Sequence, residues 1–310
     1  MKTVAVTGAQ GFVGSAIVDA LKEAGHRVIP IVRASNGQYH DAVEWNIRKP
    51  YKGNFKDVDI VVHSAAKVDD WAGYKDSYET NVTGTKNVID AFKNSKLIVY
   101  ISSASVYGPN DIERVVTEGS AAGTNLLNAY SKTKYLGEQV VIDSSIPSKV
   151  ILRPHIIYGP GDKNILPRLL KAKRFGRFLI LGVGSNHISL THIDNLVHAV
   201  SLLVDSEKGF SGEVFNIVDD RSDTVENIIN SLKVTLGIRE KNLHIPIFIA
   251  SALGWVFESV FKLLKISRPP LITPYIVEQM TADHIIDCSK AKGSFGYCPK
   301  VDYSEGFKNL

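Results

Sequence analysis

The chain has 310 residues, 44% of them hydrophobic and 22% charged, and carries a formal net charge of +4. That composition belongs to a folded globular protein and excludes a disordered or fibrous one. The basic residues are dispersed, with no Lys/Arg run or interleaved aromatics to mark a nucleic-acid surface, and no uncharged apolar run reaches the roughly 18 residues needed to span a bilayer.

Thr3-Val4-Ala5-Val6-Thr7 reads as a short buried strand, followed at once by Gly8-Ala9-Gln10-Gly11-Phe12-Val13-Gly14 and a helical pattern from Ser15. Strand, glycine turn and helix form the first half of a dinucleotide-binding unit. Gly8 permits the turn, Gly11 lets backbone approach a pyrophosphate, and Gly14 allows helix to pack on strand. The turn segment Gly8, Gln10, Gly11, Phe12, Val13 and Gly14 is the first cofactor-binding candidate, with the helix amino terminus favouring the anion.

Further along, residues 27–32 and 42–45 read as a second and a short third strand, and the apolar run 59–63 as a fourth. A long helix over 74–93, a fifth strand over 96–101, a helix over 129–144 and a sixth strand over 149–152 follow. This alternation predicts an α/β fold with a doubly wound parallel sheet of Rossmann type. The pattern becomes irregular after Arg153. Helices are expected near 165–173, 195–205, 224–236 and 248–264, between short strands. Residues 1–153 are thus expected to form the dinucleotide-binding domain. Residues 154–310 are expected to form mainly a smaller C-terminal substrate lobe, with some segments returning to the main sheet.

Within the 129–144 helix, Tyr130 and Lys134 stand four residues apart and share a face one turn apart. A phenol titrates near ~10 and is a poor acid–base catalyst at neutral pH unless a nearby cation favours the phenolate. Lys132 points elsewhere, so Lys134 is the expected partner. Cys288 and Cys298, the only cysteines, imply a reducing compartment and neither a disulfide framework nor a metal site. The start at Met1 enters a strand directly, without a signal peptide, and the expected location is cytoplasmic.

These residues, with four further segments in order, resemble the extended short-chain dehydrogenase/reductase family of the NAD-dependent epimerase/dehydratase superfamily. The segments are Asp57-Val58-Asp59-Ile60-Val61-Val62-His63-Ser64-Ala65-Ala66, Asn81-Val82-Thr83-Gly84-Thr85-Lys86-Asn87-Val88, Ser102-Ser103-Ala104-Ser105-Val106-Tyr107-Gly108, and Arg153-Pro154-His155-Ile156-Ile157-Tyr158-Gly159-Pro160-Gly161-Asp162. The resemblance implies that Ser103, with Ser102 and Ser105 as competing assignments, hydrogen-bonds the substrate oxygen. It implies that Tyr130 moves the proton, and that Lys134 binds the nicotinamide ribose and tunes Tyr130. Ala65 and Ala66 would line the nicotinamide side, and His155, between Pro154 and Ile156, would sit near the carboxamide. Asn81 has two readings, support of the active-site backbone network or a cap within the 74–93 helix.

NAD-dependent members usually end the second strand with an acidic residue on the ribose hydroxyls. Here the strand ends Ile31-Val32-Arg33-Ala34-Ser35, and Arg33 can pair with a 2′-phosphate. The expected cofactor is NADP(H), with NAD(H) as the alternative and Lys67 or Ser35 as assisting groups. Asn46-Ile47 stands where the family often has an Asp-Leu or Asp-Ile facing adenine.

The second half resembles the 3β-hydroxysteroid dehydrogenase-like branch. That branch includes sterol 4-carboxylate 3-dehydrogenases and bacterial reductases of long-chain 2-alkyl-3-oxo acids. Its implied activity is NADP(H)-dependent interconversion of a secondary alcohol and a ketone on a small hydrophobic substrate, either sterol-like or a long-chain 3-oxo/3-hydroxy compound. A sugar-nucleotide 4-epimerase or 4-keto reductase using bound NAD is the alternative. Relatives dimerise through the two helices here at 74–93 and 129–144, so a homodimer is expected. The segment from Ile245 to Ile266 is a strongly apolar helix. Its plain reading is a buried helix of the second lobe. Its sharper reading is a face that covers a greasy substrate channel or makes peripheral membrane contact, with Lys262 and Lys265 at the polar edge.

Overall fold

The computed structural model describes residues 1–309 apart from 54, 110–114, 164, 172, 174–175 and 267. Strand β1 (Thr3–Thr7) is buried from Val4 onward. It pairs on both sides, with β2 (Arg27–Val32) and with β4 (Ile60–His63), which explains its continuous apolar run. With β3 (Val43–Glu44), β5 (Leu97–Ile101), β6 (Ser148–Pro154) and β7 (Ser211–Ile217), the sheet runs β7-β6-β5-β4-β1-β2-β3 and every pairing is parallel. The winding reverses between β1 and β4, and a sheet of this kind binds its ligand beyond the carboxyl ends of the strands at that reversal.

Helix α1 (Phe12–Glu23) covers one face of the sheet. It begins three residues before the expected start at Ser15, because Gly11 adopts the extended backbone of an N-cap and the turn feeds straight into the helix. The opposite face carries α2 (Tyr74–Tyr78), α3 (Gly84–Ala91) and α4 (Ala129–Ile142). The single helix expected over 74–93 is interrupted by a π-turn at Glu79–Thr83, which widens the helix at Asn81. Asn128 caps α4 by accepting from the Ser131 amide at 2.8 Å.

Past β6 come α5 (Ile165–Lys171) and α6 (Ile193–Asp205). Ala172, within the helix expected over 165–173, lies outside the described residues. The apolar side of α6 (Leu196, Ala199, Leu203) joins the core under α1, and β7 then adds to the sheet beside β6. A second core, with Phe178, Ile180, Ile188 and Leu190, forms around α7 (Val225–Thr235).

The last large helices are α8 (Ile247–Leu263) and α9 (Pro274–Thr281), packed on one another. The plain reading of the apolar segment as a buried helix is overturned. Within α8 only Ala250 and Gly254 are buried, whereas Phe248 is 75% exposed, Trp255 68% and Leu263 81%. The contact is narrow because it is made by small residues, Gly254 lying directly against the backbone of Thr273 and Pro274. Among the described residues no helix is long and apolar enough to cross a membrane.

Close approach decides how α4 sits on the sheet. A Cβ on Gly137 would lie 2.3 Å from the Tyr100 hydroxyl and 2.7 Å from the Asn81 carbonyl. Gly137→Ala should therefore push α4 off β5 and cost about 1–3 kcal/mol, read as a lower denaturant midpoint at unchanged m-value.

Candidate active site

At the end of β1, Gly8 has φ of +70°, and Gly11 donates its amide to the Gly8 carbonyl at 2.8 Å. A Cβ on Gly14 would stand 2.2 Å from that carbonyl oxygen, so α1 can press on the turn only without one. Gly11 contributes no side-chain cap, which leaves the first-turn amides of Phe12, Val13 and Gly14 without intrahelical acceptors. This bare, glycine-walled amide cradle fits the pyrophosphate of a dinucleotide. The Gln10 amide ties the turn to the segment after β2, donating to the Asn36 side-chain oxygen at 2.6 Å.

Arg33 follows the last residue of β2, is exposed, and makes no ion pair among the described residues. Sequence reasoning missed Glu44, whose carboxylate accepts from the Ser35 amide at 2.9 Å and so shapes the same segment. Asn46 uses its side chain locally, accepting from the Arg48 amide at 3.2 Å. The Ile47 side chain is not in the crevice. It is buried against Gly84 in the core, with its carbonyl accepting from the Asn87 amide group at 2.7 Å.

The crevice floor is a polar network. Ala65 touches Gly8, and its amide donates to the Thr7 hydroxyl at 3.2 Å. That hydroxyl is 2.7 Å from His63 Nδ1, while His63 Nε2 is 3.0 Å from the Thr85 hydroxyl. Burial, and then the charge on Lys134, hold His63 down to about 3, so it is a neutral strut between β1 and α3. Asn81 accepts from the Lys67 amide at 2.7 Å and donates to the Thr133 hydroxyl at 3.0 Å. Of its two readings the geometry favours backbone support, since it clamps the loop carrying Ala66 and Lys67 to α4. The Lys67 ammonium is paired with Asp69 at 3.2 Å.

On α4, Lys134 is buried and Tyr130 half-buried, with the Ser103 hydroxyl close enough to the Tyr130 phenol to act on its pKa. Burial pushes the phenol up to about 12, with Ser103 pulling the other way. The expected lowering by Lys134 is not found, because its ammonium is turned to the Ile101 carbonyl at 2.6 Å and lies 4.0 Å from the centre of the Tyr100 ring. A phenol at that value stays protonated through the neutral range, which suits a proton donor. Burial drops Lys134 to about 7, and Glu138, one turn on, works against that fall. Glu138 is fully buried, accepts from Arg153 at 2.9 and 2.6 Å, and accepts from Ser102 at 2.5 Å. Ser102 is thereby committed to Glu138. Ser105 is separate again, with a buried hydroxyl that has no partner among the described residues.

The facing wall comes from α9. Tyr275, Glu278 and Gln279 line a small cleft with Ser105, Tyr107, Leu126, Leu127 and Ser131. Burial first, and then Tyr130 nearby, raises the Tyr275 phenol. His155 follows Pro154, the last residue of β6, and its ring is drawn into the second lobe. Nδ1 lies 2.7 Å from the Ser189 carbonyl, and the ring packs on His284 at 5.4 Å between centres. Ile156, next in the chain, has φ of +43° and turns the backbone sharply at this point.

The chain matches the NAD dependent epimerase/dehydratase family over residues 4–218. It is 32% identical to a 2-alkyl-3-oxoalkanoate reductase of Shewanella oneidensis, across 98% of this chain and 84% of that one. It is 28% identical to the decarboxylating sterol-4-alpha-carboxylate 3-dehydrogenase of Mus musculus, across 98% and 88%. Among solved structures, a UDP-glucuronic acid 4-epimerase from Bacillus cereus in complex with NAD has the same fold. It superposes with a TM-score of 0.75 at 22% identity, over 99% of this chain and 96% of that one.

Glu138→Gln should act twice. It leaves Arg153 buried without its counter-charge, costing about 3–5 kcal/mol in denaturant unfolding. It also removes the group that favours the Lys134 ammonium, so the Lys134 value falls further below 7. The alkaline limb of the kcat/KM profile for carbonyl reduction should then move to lower pH. A limb that stays in place would show that Glu138 is purely structural.

Proposed function

The chain belongs to the NAD dependent epimerase/dehydratase family, and on that premise we propose that it is an NADP(H)-dependent oxidoreductase interconverting a secondary alcohol and a ketone on a hydrophobic substrate. The substrate class is sterol-like or a long-chain 3-oxo/3-hydroxy compound, in keeping with the names of its relatives. The observation that carries the reading is the placement of Ser103 near enough to the Tyr130 phenol to lower its pKa, with Lys134 one turn along the same helix, which packs on the strands of the main sheet.

A bound nicotinamide supplies or takes the hydride at the carbinol carbon. In reduction, Tyr130 delivers its proton to the developing alkoxide and Ser103 donates a hydrogen bond to the same oxygen. Lys134 holds the ribose hydroxyls and anchors the face of α4 that carries Tyr130. The amides of the turn from Gly8 to Gly14 take the pyrophosphate, and Arg33 takes the 2′-phosphate. Ala65, Ala66, Lys67 and the Pro154–Ile156 backbone border the nicotinamide end, with Asn81 holding that border in place. Asn46 remains our candidate beside adenine, and Ile47 enters only through its backbone.

Support for a carbon-rich substrate comes from the cleft wall. The described residues lining it include Leu126, Leu127, Tyr107 and Tyr275 and an acid, Glu278, with no lysine or arginine among them. The sugar-nucleotide alternative rests on likeness of fold. We extend the proposal to a cytoplasmic homodimer. Cys288 and Cys298 are free thiols, and the outer surface of α2 exposes the neighbouring rings of Tyr74 and Tyr78.

Tyr130→Phe should lower kcat by about 10²–10⁴-fold while cofactor titration is unchanged, and a near-normal rate would remove the mechanism. Arg33→Asp should shift the NADPH/NADH ratio of kcat/KM toward NADH by about ten- to hundredfold, the worth of one charge-assisted contact. An unmoved ratio would show that Arg33 does not read the phosphate.

A further inference from the structure

Nine of the twenty large apolar side chains exposed among the described residues lie between Ile247 and Leu264, on one helix and its end. Single exposed apolar residues are ordinary, but a contiguous patch of this kind calls for a partner. At 3.6 residues per turn, Phe248, Ile249, Trp255, Val256, Val260 and Leu263 fall within an arc of about 140°. Ala250 and Gly254, which pack toward α9, lie on the other side.

The charges around the patch point to one occupant. From Ile247 to Leu271 the sequence carries Lys262, Lys265 and Arg268 against a single acid, Glu258. Glu258 is bonded to Lys262, and Lys265 and Arg268 make no ion pair among the described residues. A helix with a broad aliphatic and indole face and a basic end has the composition of an interfacial helix. Its apolar face enters the acyl boundary while its cations meet anionic headgroups.

We propose that the outward face of α8 docks the protein on an anionic lipid surface. Its inner side leads toward the active site. Phe261 packs edge-on against Trp71 at 6.4 Å between ring centres, and the Trp71 indole donates to the Ile266 carbonyl at 3.1 Å. Behind α8, the helix α9 presents Tyr275, Glu278 and Gln279 to the cleft beside Ser105 and Ser131. Lipid surface and cleft therefore share one two-helix wall. Resting on the oxidoreductase reading above, this wall admits a long-chain or sterol-like substrate from the bilayer side.

The test is flotation of the intact protein with vesicles of phosphatidylcholine mixed with phosphatidylglycerol, and with phosphatidylcholine alone. Wild type should float with the mixed vesicles. The Phe248→Asp/Trp255→Asp variant should bind at least about tenfold more weakly, with circular dichroism and NADPH binding unchanged. Lys265→Glu/Arg268→Glu should lose about tenfold or more on the mixed vesicles only, and it decides the matter if the aspartate variant misfolds. Three results would overturn the proposal: wild type remaining in the aqueous fraction, equal flotation of folded variants, or a patch substitution that changes only the mass in light scattering, which would assign the face to a second copy. Flotation requires no turnover, so its failure leaves the redox reading intact, and failure of the Tyr130→Phe experiment leaves docking intact.

Discussion

The ion pair between Glu138 and Arg153 is the interaction around which the catalytic half is assembled. Neither group meets water to any extent, so each is the buried counter-charge of the other. The pair joins α4 to β6, and Ser102 adds the end of β5 to it. Arg153 also lies over the Tyr107 ring at 4.8 Å, and the Tyr107 hydroxyl donates to Asn216 on β7 at 2.8 Å. One charged contact thus sets a helix, three strands and the loop bearing Ser103 in register. Lys134 sits a single turn away on the same helix.

The rest of the site is held by neutral groups. His63 does not take up a second proton at neutral pH where it lies, so it spaces Thr7 from Thr85 without adding charge near the crevice. His155 and His284 are likewise pressed toward the neutral form by burial. Beneath Tyr130 the buried charged side chains are Lys134, Glu138 and Arg153, and preorganised charge is most effective where water is excluded.

The parts of this arrangement that could be read from the sequence were the local ones. Tyr130 and Lys134 declare themselves by helical spacing, and the glycine turn by its place between a strand and a helix. The parallel sheet was legible because its central strands β4 and β5 are fully buried and almost wholly apolar. Partners distant in sequence were not. Nothing around Glu138 announces Arg153, fifteen residues on, until α4 is laid on β6. Ser102, Ser103 and Ser105 are equivalent in a string of letters, and they separate only when each hydroxyl has a direction. At the π-turn Asn81 reaches across to Lys67 and Thr133, a tertiary contact that helix periodicity does not encode. For α8, composition reported greasiness but not what lies over it, and the small contact residues Ala250 and Gly254 gave the weakest signal in the segment.

Strand β7 pairs with β6 from Ser211 to Ile217, although about sixty residues of second-lobe chain separate them. During synthesis the ribosome must therefore release well over half the polypeptide before the sheet acquires its outer edge. Until then β6, including Arg153, presents unpaired amides and carbonyls to any extended neighbour. A chain truncated after residue 153 would retain the glycine turn yet leave this strand as an open edge.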